Sequence, residues 1–201
     1  CQRQGTGGAS PVKKRYISPS ELLRDSYELA WRVFESEYRP DYLVGVWRGG
    51  TPVAIAMHEL LHLLGLRPDH LAIRSASYTG IAQRQPQVSV DGLGYLQARL
   101  KPGARLLLVD DVHDTGLSLA RVIGELEGVC APDALEIRLA TPWYKPGNNR
   151  TGRVPDYFIH KSDDWLVFPH ELEGLAAEEL AEHKPELAHL LEKLLPKLEQ
   201  R

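Results

Sequence analysis

Cysteine is nearly absent from this 201-residue chain, which holds only Cys1 and Cys130. The two thiols fit no metal-ligand spacing and read as a terminal thiol and a small buried apolar residue. Long hydrophobic runs are missing too. No segment approaches the length of a membrane span and no signal-peptide pattern is visible, so cytoplasm is the expected location and no membrane partner is expected. Neither sign of charge dominates: a formal charge of -3 and a pI near 6.3 give no global reason to expect nucleic acid. What is left is an ordinary globular composition, 43% hydrophobic and 25% charged, long enough for one domain with a real core.

Residues 1–14, rich in Gly, Ser, Gln and base, are expected to be a disordered leader. Ser18-Pro19-Ser20-Glu21 is a capping box with Pro at the first helical position. Leu22, Leu23, Tyr27, Ala30, Val33 and Phe34 then recur at helical spacing. Short apolar runs at Tyr42–Trp47, Leu71–Arg74, Arg105–Val109, Leu135–Thr141, Tyr157–Ile159 and Trp165–Phe168 read as strands. A helix is expected from Pro52 to Gly65, and another carries Leu119, Val122, Ile123 and Leu126. The polar stretch from Ser75 to about Gly94 reads as a mobile flap with a weak strand at Val88–Val90, and Pro142–Pro155 as a loop. Residues 175–201 form a helical tail, broken at Pro185. Strand and helix alternate, so the class is α/β with a mainly parallel central sheet flanked by helices.

One stretch concentrates chemistry. The apolar run Leu106–Val109 stops in Asp110-Asp111, and Asp114-Thr115-Gly116-Leu117-Ser118 follows into an amphipathic helix. Open α/β sheets place ligands beyond the C-terminal ends of their strands. Backbone amides turning into a helix N-terminus make an anion site, with hydroxyls from Thr115 and Ser118 added. Two carboxylates beside a phosphate repel it unless they face donors or a divalent cation. Sugar hydroxyls are such donors, so the pattern points to a phosphorylated sugar.

Val109–Ser118 resembles the diphosphoribosyl-binding signature of type I phosphoribosyltransferases, and residues 16–173 are similar to the 6-oxopurine branch. The resemblance implies the type I fold, with a flexible active-site loop and a small hood within a domain at 15–174. It implies that Asp110 and Asp111 bind ribose and help hold Mg2+, that Asp114 to Ser118 hold the 5-phosphate, and that Asp114 is the general base. Trp47-Arg48-Gly49-Gly50 matches the diphosphate loop, which assigns Arg48 and Gly49 to diphosphate and implies a cis bond at Arg48–Gly49. Ser77-Tyr78 resembles the flexible-loop pair. Lys145 falls where a lysine reads purine O6, and Trp165-Leu166 where an aromatic stacks on the base and the next backbone reads its edge. Phe168-Pro169-His170-Glu171 resembles a Phe-Pro-Trp-Glu variant, with His in place of Trp.

The implied activity is Mg2+-dependent transfer of phosphoribose from 5-phospho-α-D-ribose 1-diphosphate (PRPP) to N9 of hypoxanthine, guanine or xanthine. The implied partners are PRPP and a purine base, with a homodimer or homotetramer as the assembly. Two other readings are weighed. A PRPP-sensing regulator would share the fold, but neither the leader nor the acidic tail supplies a basic DNA-reading module. His58-Glu59-Leu60-Leu61-His62 satisfies a zinc-hydrolase helix pattern, yet Pro68 stands where the extended pattern wants a third His. The ordinary reading of those histidines is helix packing or a subunit contact.

Overall fold

The computed structural model describes residues 13–78, 87–128 and 134–198, which fall in two compact units. The larger, Pro19–Asp163, is built on strands β2 (Tyr42–Trp47), β3 (Asp69–Tyr78), β4 (Gln87–Asp91), β5 (Arg105–Val109), β6 (Val112–His113), β7 (Glu136–Tyr144) and β8 (Tyr157–Lys161). They form one sheet in the order β4-β3-β2-β5-β7-β6, with β8 also on β7; only the β3–β4 pair is antiparallel.

Helices α1 (Pro19–Glu35), α2 (Gly50–Leu63), α3 (Gly94–Gln97) and α4 (Leu117–Glu127) belong to this unit. Alternation along the central strands sorts the core. Val44, Val46, Leu106 and Leu108 pack in one buried cluster with Leu96, Leu119, Val122 and Leu126 of α3 and α4. Gly45 faces the other way, against Ala54 of α2. Leu43, Leu107 and Val109 share its parity and are equally buried. A sheet covered on both faces explains why β5 reads as an unbroken apolar run rather than an alternating one.

The smaller unit, Cys1–Ser18 with Asp164–Arg201, contains β1 (Lys14–Tyr16) paired in parallel with β9 (Trp165–Val167). Helices α5 (Ala177–His183) and α6 (Ala188–Leu198) follow, joined by a 3-10 turn at Pro185–Leu187. Lys14, expected in the leader, is therefore in a strand. Its partner lies some 150 positions away (Lys14↔Trp165), beyond the reach of local pattern.

Other departures have local causes. Helix α2 begins at Gly50 rather than Pro52; a proline is tolerated there because first-turn amides have no intrahelical acceptor. Strand β7 runs through Pro142 to Tyr144 instead of ending at Thr141. Its neighbour pairs at Val109↔Ala140 and again at Val112↔Trp143, with the Asp110 N–H donating to the Ala140 carbonyl at 3.2 Å, so the missing proline N–H falls opposite the Asp110–Asp111 step where the strand register is interrupted. The flanks of the expected flap are paired backbone: Ser75–Tyr78 of β3 lie against Gln87–Val90 of β4. Residues 79–86, at the centre of that flap, lie outside the described residues.

Candidate active site

The site is built where one strand breaks. β5 ends at Val109 and β6 resumes at Val112 along the same strand, β7, which puts Asp110 and Asp111 at an interruption rather than at a simple strand end. Asp110 accepts the Asp111 backbone N–H at 3.0 Å. Burial, and then the Asp111 charge, push the Asp110 carboxyl well above the usual carboxylate range. Asp111 is only 8% exposed. A group that donates hydrogen bonds or carries positive charge would relieve this pair.

Gly49 and Gly50 pack directly on it. A Cβ on Gly49 would fall 1.8 Å from Asp111 Oδ2, and one on Gly50 2.3 Å from the Val109 carbonyl oxygen. No side chain fits at either position, which is the physical content of the Arg48-Gly49-Gly50 motif. Gly49 caps α2, and Thr51 Oγ1 donates to the Arg48 carbonyl at 2.7 Å. Arg48 itself is exposed. The cis peptide is Trp47–Arg48, one bond before the expected Arg48–Gly49.

Beyond β6 the chain turns at Asp114-Thr115-Gly116 into α4. Gly116 has φ 76° and is the N-cap, with no capping side chain of its own, and the Leu117 N–H donates to Thr115 Oγ1 at 3.4 Å. Ser118 and Leu117 are exposed in that first turn. Lys145, 8% exposed, reaches back from the end of β7: its Nζ stands 3.5 Å from Asp114 Oδ2, and its backbone N–H donates to the His113 carbonyl at 2.9 Å.

A brace that sequence reasoning did not single out holds this turn. The Arg150 N–H donates to the Thr115 carbonyl at 3.0 Å. A Cβ on Gly116 would meet Thr151 Oγ1 at 2.7 Å and His113 Nε2 at 2.8 Å. Asn149 ties the brace together, accepting from the Thr151 N–H and hydroxyl and donating to Tyr144 Oη and the Arg153 carbonyl. His113 is buried, and that burial first of all lowers its pKa, so a neutral imidazole underlies the turn. The only sequence signal was the turn-rich run Gly147–Gly152, legible as a loop but not as a partner of Thr115.

A family model for the phosphoribosyl transferase domain matches residues 18–189. The chain belongs to the phosphoribosyltransferase family. A xanthine-guanine phosphoribosyltransferase of Desulfotalea psychrophila is 32% identical over 177 residues, covering 84% of this chain and 93% of that protein. Among solved structures, a purine phosphoribosyltransferase from Pyrococcus horikoshii shares 31% identity at a TM-score of 0.63, covering 81% of this chain and 97% of that one. The xanthine-guanine-hypoxanthine phosphoribosyltransferase of Helicobacter pylori, at 22% identity and a TM-score of 0.60, shares the fold over 86% of this chain and 99% of its own. The architecture is the type I phosphoribosyltransferase fold.

In this phosphoribosyltransferase, the remaining residues named from sequence sit as follows. Ser77 and Tyr78 end β3, where their backbones pair with Val88 and Gln87. In the smaller unit, Trp165 is 58% exposed while Leu166 beside it is buried. Glu171 folds back to accept the Phe168 N–H at 3.0 Å, and Lys184 Nζ donates to the Phe168 carbonyl at 2.5 Å, so the Phe-Pro-His-Glu run is a closed turn. His58, His62 and His70 do meet: the His58 ring lies 3.9 Å from that of His62 and 4.2 Å from that of His70. Among the described residues, no helix is long and apolar enough to cross a membrane.

Proposed function

We propose that this phosphoribosyltransferase is a purine-salvage enzyme that moves the 5-phosphoribosyl group of PRPP to N9 of a 6-oxopurine and releases diphosphate. The observation that carries the reading is Lys145 Nζ at 3.5 Å from Asp114 Oδ2 beside the α4 N-terminus. A lysine selects an oxo over an amino group, and a carboxylate accepts the proton that N7 must lose. The 32% identity to a xanthine-guanine enzyme supports the same substrate class.

Asp110 and Asp111 accept hydrogen bonds from the ribose hydroxyls, and the amides and hydroxyls of Asp114 to Ser118 hold the 5-phosphate. Arg48 and the Gly49 backbone bind the leaving diphosphate, whose charge a guanidinium matches bidentately. Asp114 takes the N7 proton as N9 attacks, and Lys145 donates to O6. Ser77 and Tyr78 belong to the loop that excludes water from the reacting sugar. Trp165 and Leu166 keep the assignment to the base that the resemblance implies. The crowded carboxyl pair Asp110–Asp111 is a hard-oxygen donor set that fits Mg2+, which when bound with PRPP would offset the diphosphate charge.

The test is incubation with PRPP, Mg2+ and each of hypoxanthine, guanine, xanthine and adenine, followed by ultraviolet absorbance. Nucleotide is expected from 6-oxopurines and none from adenine. Nucleotide from no base would reject the enzyme reading and leave the PRPP-sensing regulator.

A further inference from the structure

A buried lysine stands outside the proposed reaction. Lys184, the C-cap of α5, is 3% exposed, and its Nζ donates to the Phe168 carbonyl at 2.5 Å. Burial lowers its pKa, and the charges of Glu171 and then Glu186 oppose that. Glu171 accepts the Phe168 N–H at 3.0 Å, so both backbone polar groups of one buried residue are held by charged side chains. Phe168 directly follows β9, the strand that carries Trp165 and Leu166.

That strand has little support of its own. β1 and β9 make a two-stranded sheet with three residues in each strand, and such a pair is marginal unless it packs on another element. Helix α5 is that element, and it is fastened along its length. In its first turn Glu179 accepts from Lys14 Nζ at 2.6 Å and from Tyr16 Oη, both on β1. In its last turn the His183 ring stacks on Tyr16 with centroids 3.7 Å apart, and Lys184 reaches the exit of β9. An apolar side chain at 184 would avoid the cost of burying an ammonium. It could not donate to the Phe168 carbonyl.

We propose that Lys184 is a positioning residue for the purine base. By clamping the Phe168 carbonyl it holds the end of β9, and with it Trp165 and Leu166, in one orientation, a role that rests on the assignment of those two residues to the base. A charge-assisted hydrogen bond is shorter and stronger than a neutral one, and this one sets the peptide plane after Phe168. Glu171 sets the plane before it. The base is therefore read by a strand whose geometry is fixed from a helix end 16 residues further along the chain.

The test measures KM for the preferred 6-oxopurine and for PRPP in the full-length protein, with amide hydrogen exchange over residues 165–171 alongside. Lys184→Met should raise KM for the base roughly 10–100-fold, the worth of a hydrogen bond to a charged group, and leave KM for PRPP as it is. Exchange over residues 165–171 should quicken while that of β5 stays the same. Glu171→Ala, at a partly exposed position, should act in the same direction, and it carries the test if the lysine variant does not fold. Leu126→Ala, in the core of the larger unit, should lower Tm and leave KM for the base unchanged. If the wild type forms no nucleotide from any base, the enzyme reading falls and this role falls with it. If the wild type turns over, the role of Lys184 alone is overturned by any of three results: an unchanged KM for the base, equal rises in both KM values, or unchanged exchange over 165–171.

Discussion

Gly49 lies flat against the carboxylate of Asp111: a Cβ there would stand 1.8 Å from Oδ2 and 2.3 Å from Cγ. Two loops sixty residues apart in sequence thus share one surface with no room for a methyl group. Gly49→Ala should displace the whole carboxyl, lowering kcat/KM for PRPP on the order of 100-fold, as misplacement of about 1 Å does. Gly94→Ala, where nothing lies within 4 Å, serves as the control and should be silent. Steady-state kinetics compares the two, and equal effects would refute the packing argument.

Asp110 illustrates a site that works against stability. Its carboxyl titrates well above the ordinary range because of burial and then the Asp111 charge, so at neutral pH its ionised form is disfavoured in the folded chain. Asp110→Asn should therefore raise Tm, while activity collapses. The folded wild type takes up its proton at higher pH than the unfolded chain does, so it gains stability as pH falls. The gap between the two proteins should close towards acid in melts run without divalent ions; a gap that widens there contradicts the assignment.

For Asp114 and Lys145, the two halves of one ion pair, different losses are expected. Asp114→Asn should lower kcat by about 10²–10⁴-fold, the usual range for a general base, with KM for PRPP changed far less. Lys145→Gln should chiefly erode discrimination between 6-oxo and 6-amino bases, read from kcat/KM for guanine against adenine. Wild-type turnover by Asp114→Asn across pH would remove the proton-transfer role.

His58 gives a pH signature unrelated to catalysis. Burial, then its neighbours His62 and His70, lower its pKa below the ordinary 6.5. As pH falls through 6.5 the unfolded chain binds a proton that folded His58 refuses, so stability is full above that pH and declines below it. Denaturant melts of His58→Gln should show a shallower decline on the acid side than the wild type. Parallel curves would mean His58 titrates alike in both states.

Much of the scaffold was legible before any coordinates because its signals are local. β2 spans Tyr42–Trp47 and β5 Arg105–Val109, the runs of apolar residues expected of strands buried on both faces. The Asp110–Ser118 signature was legible for the same reason: carboxylates, a glycine and hydroxyls at fixed spacing before a helix. β1 was not legible, since a three-residue polar strand acquires its meaning only from Trp165–Val167. The β3–β4 ribbon was legible only in part, at Leu71–Arg74 and Val88–Val90, whereas the strands run over Asp69–Tyr78 and Gln87–Asp91.

The sequence by itself determined the class of fold and the family, because the strands, helices and signature motif depend on residue types a few positions apart. Only the tertiary structure decided that Asp110–Asp111 occupies a break in a strand spanned by Pro142, that Gly49 seats on Asp111, and that Asn149, Arg150 and Thr151 brace the Thr115–Gly116 turn. It also brought Lys184 to the Phe168 carbonyl, 16 residues back along the chain. Those juxtapositions come from packing helices onto a sheet, which brings together residues whose separation along the chain carries no periodic signal.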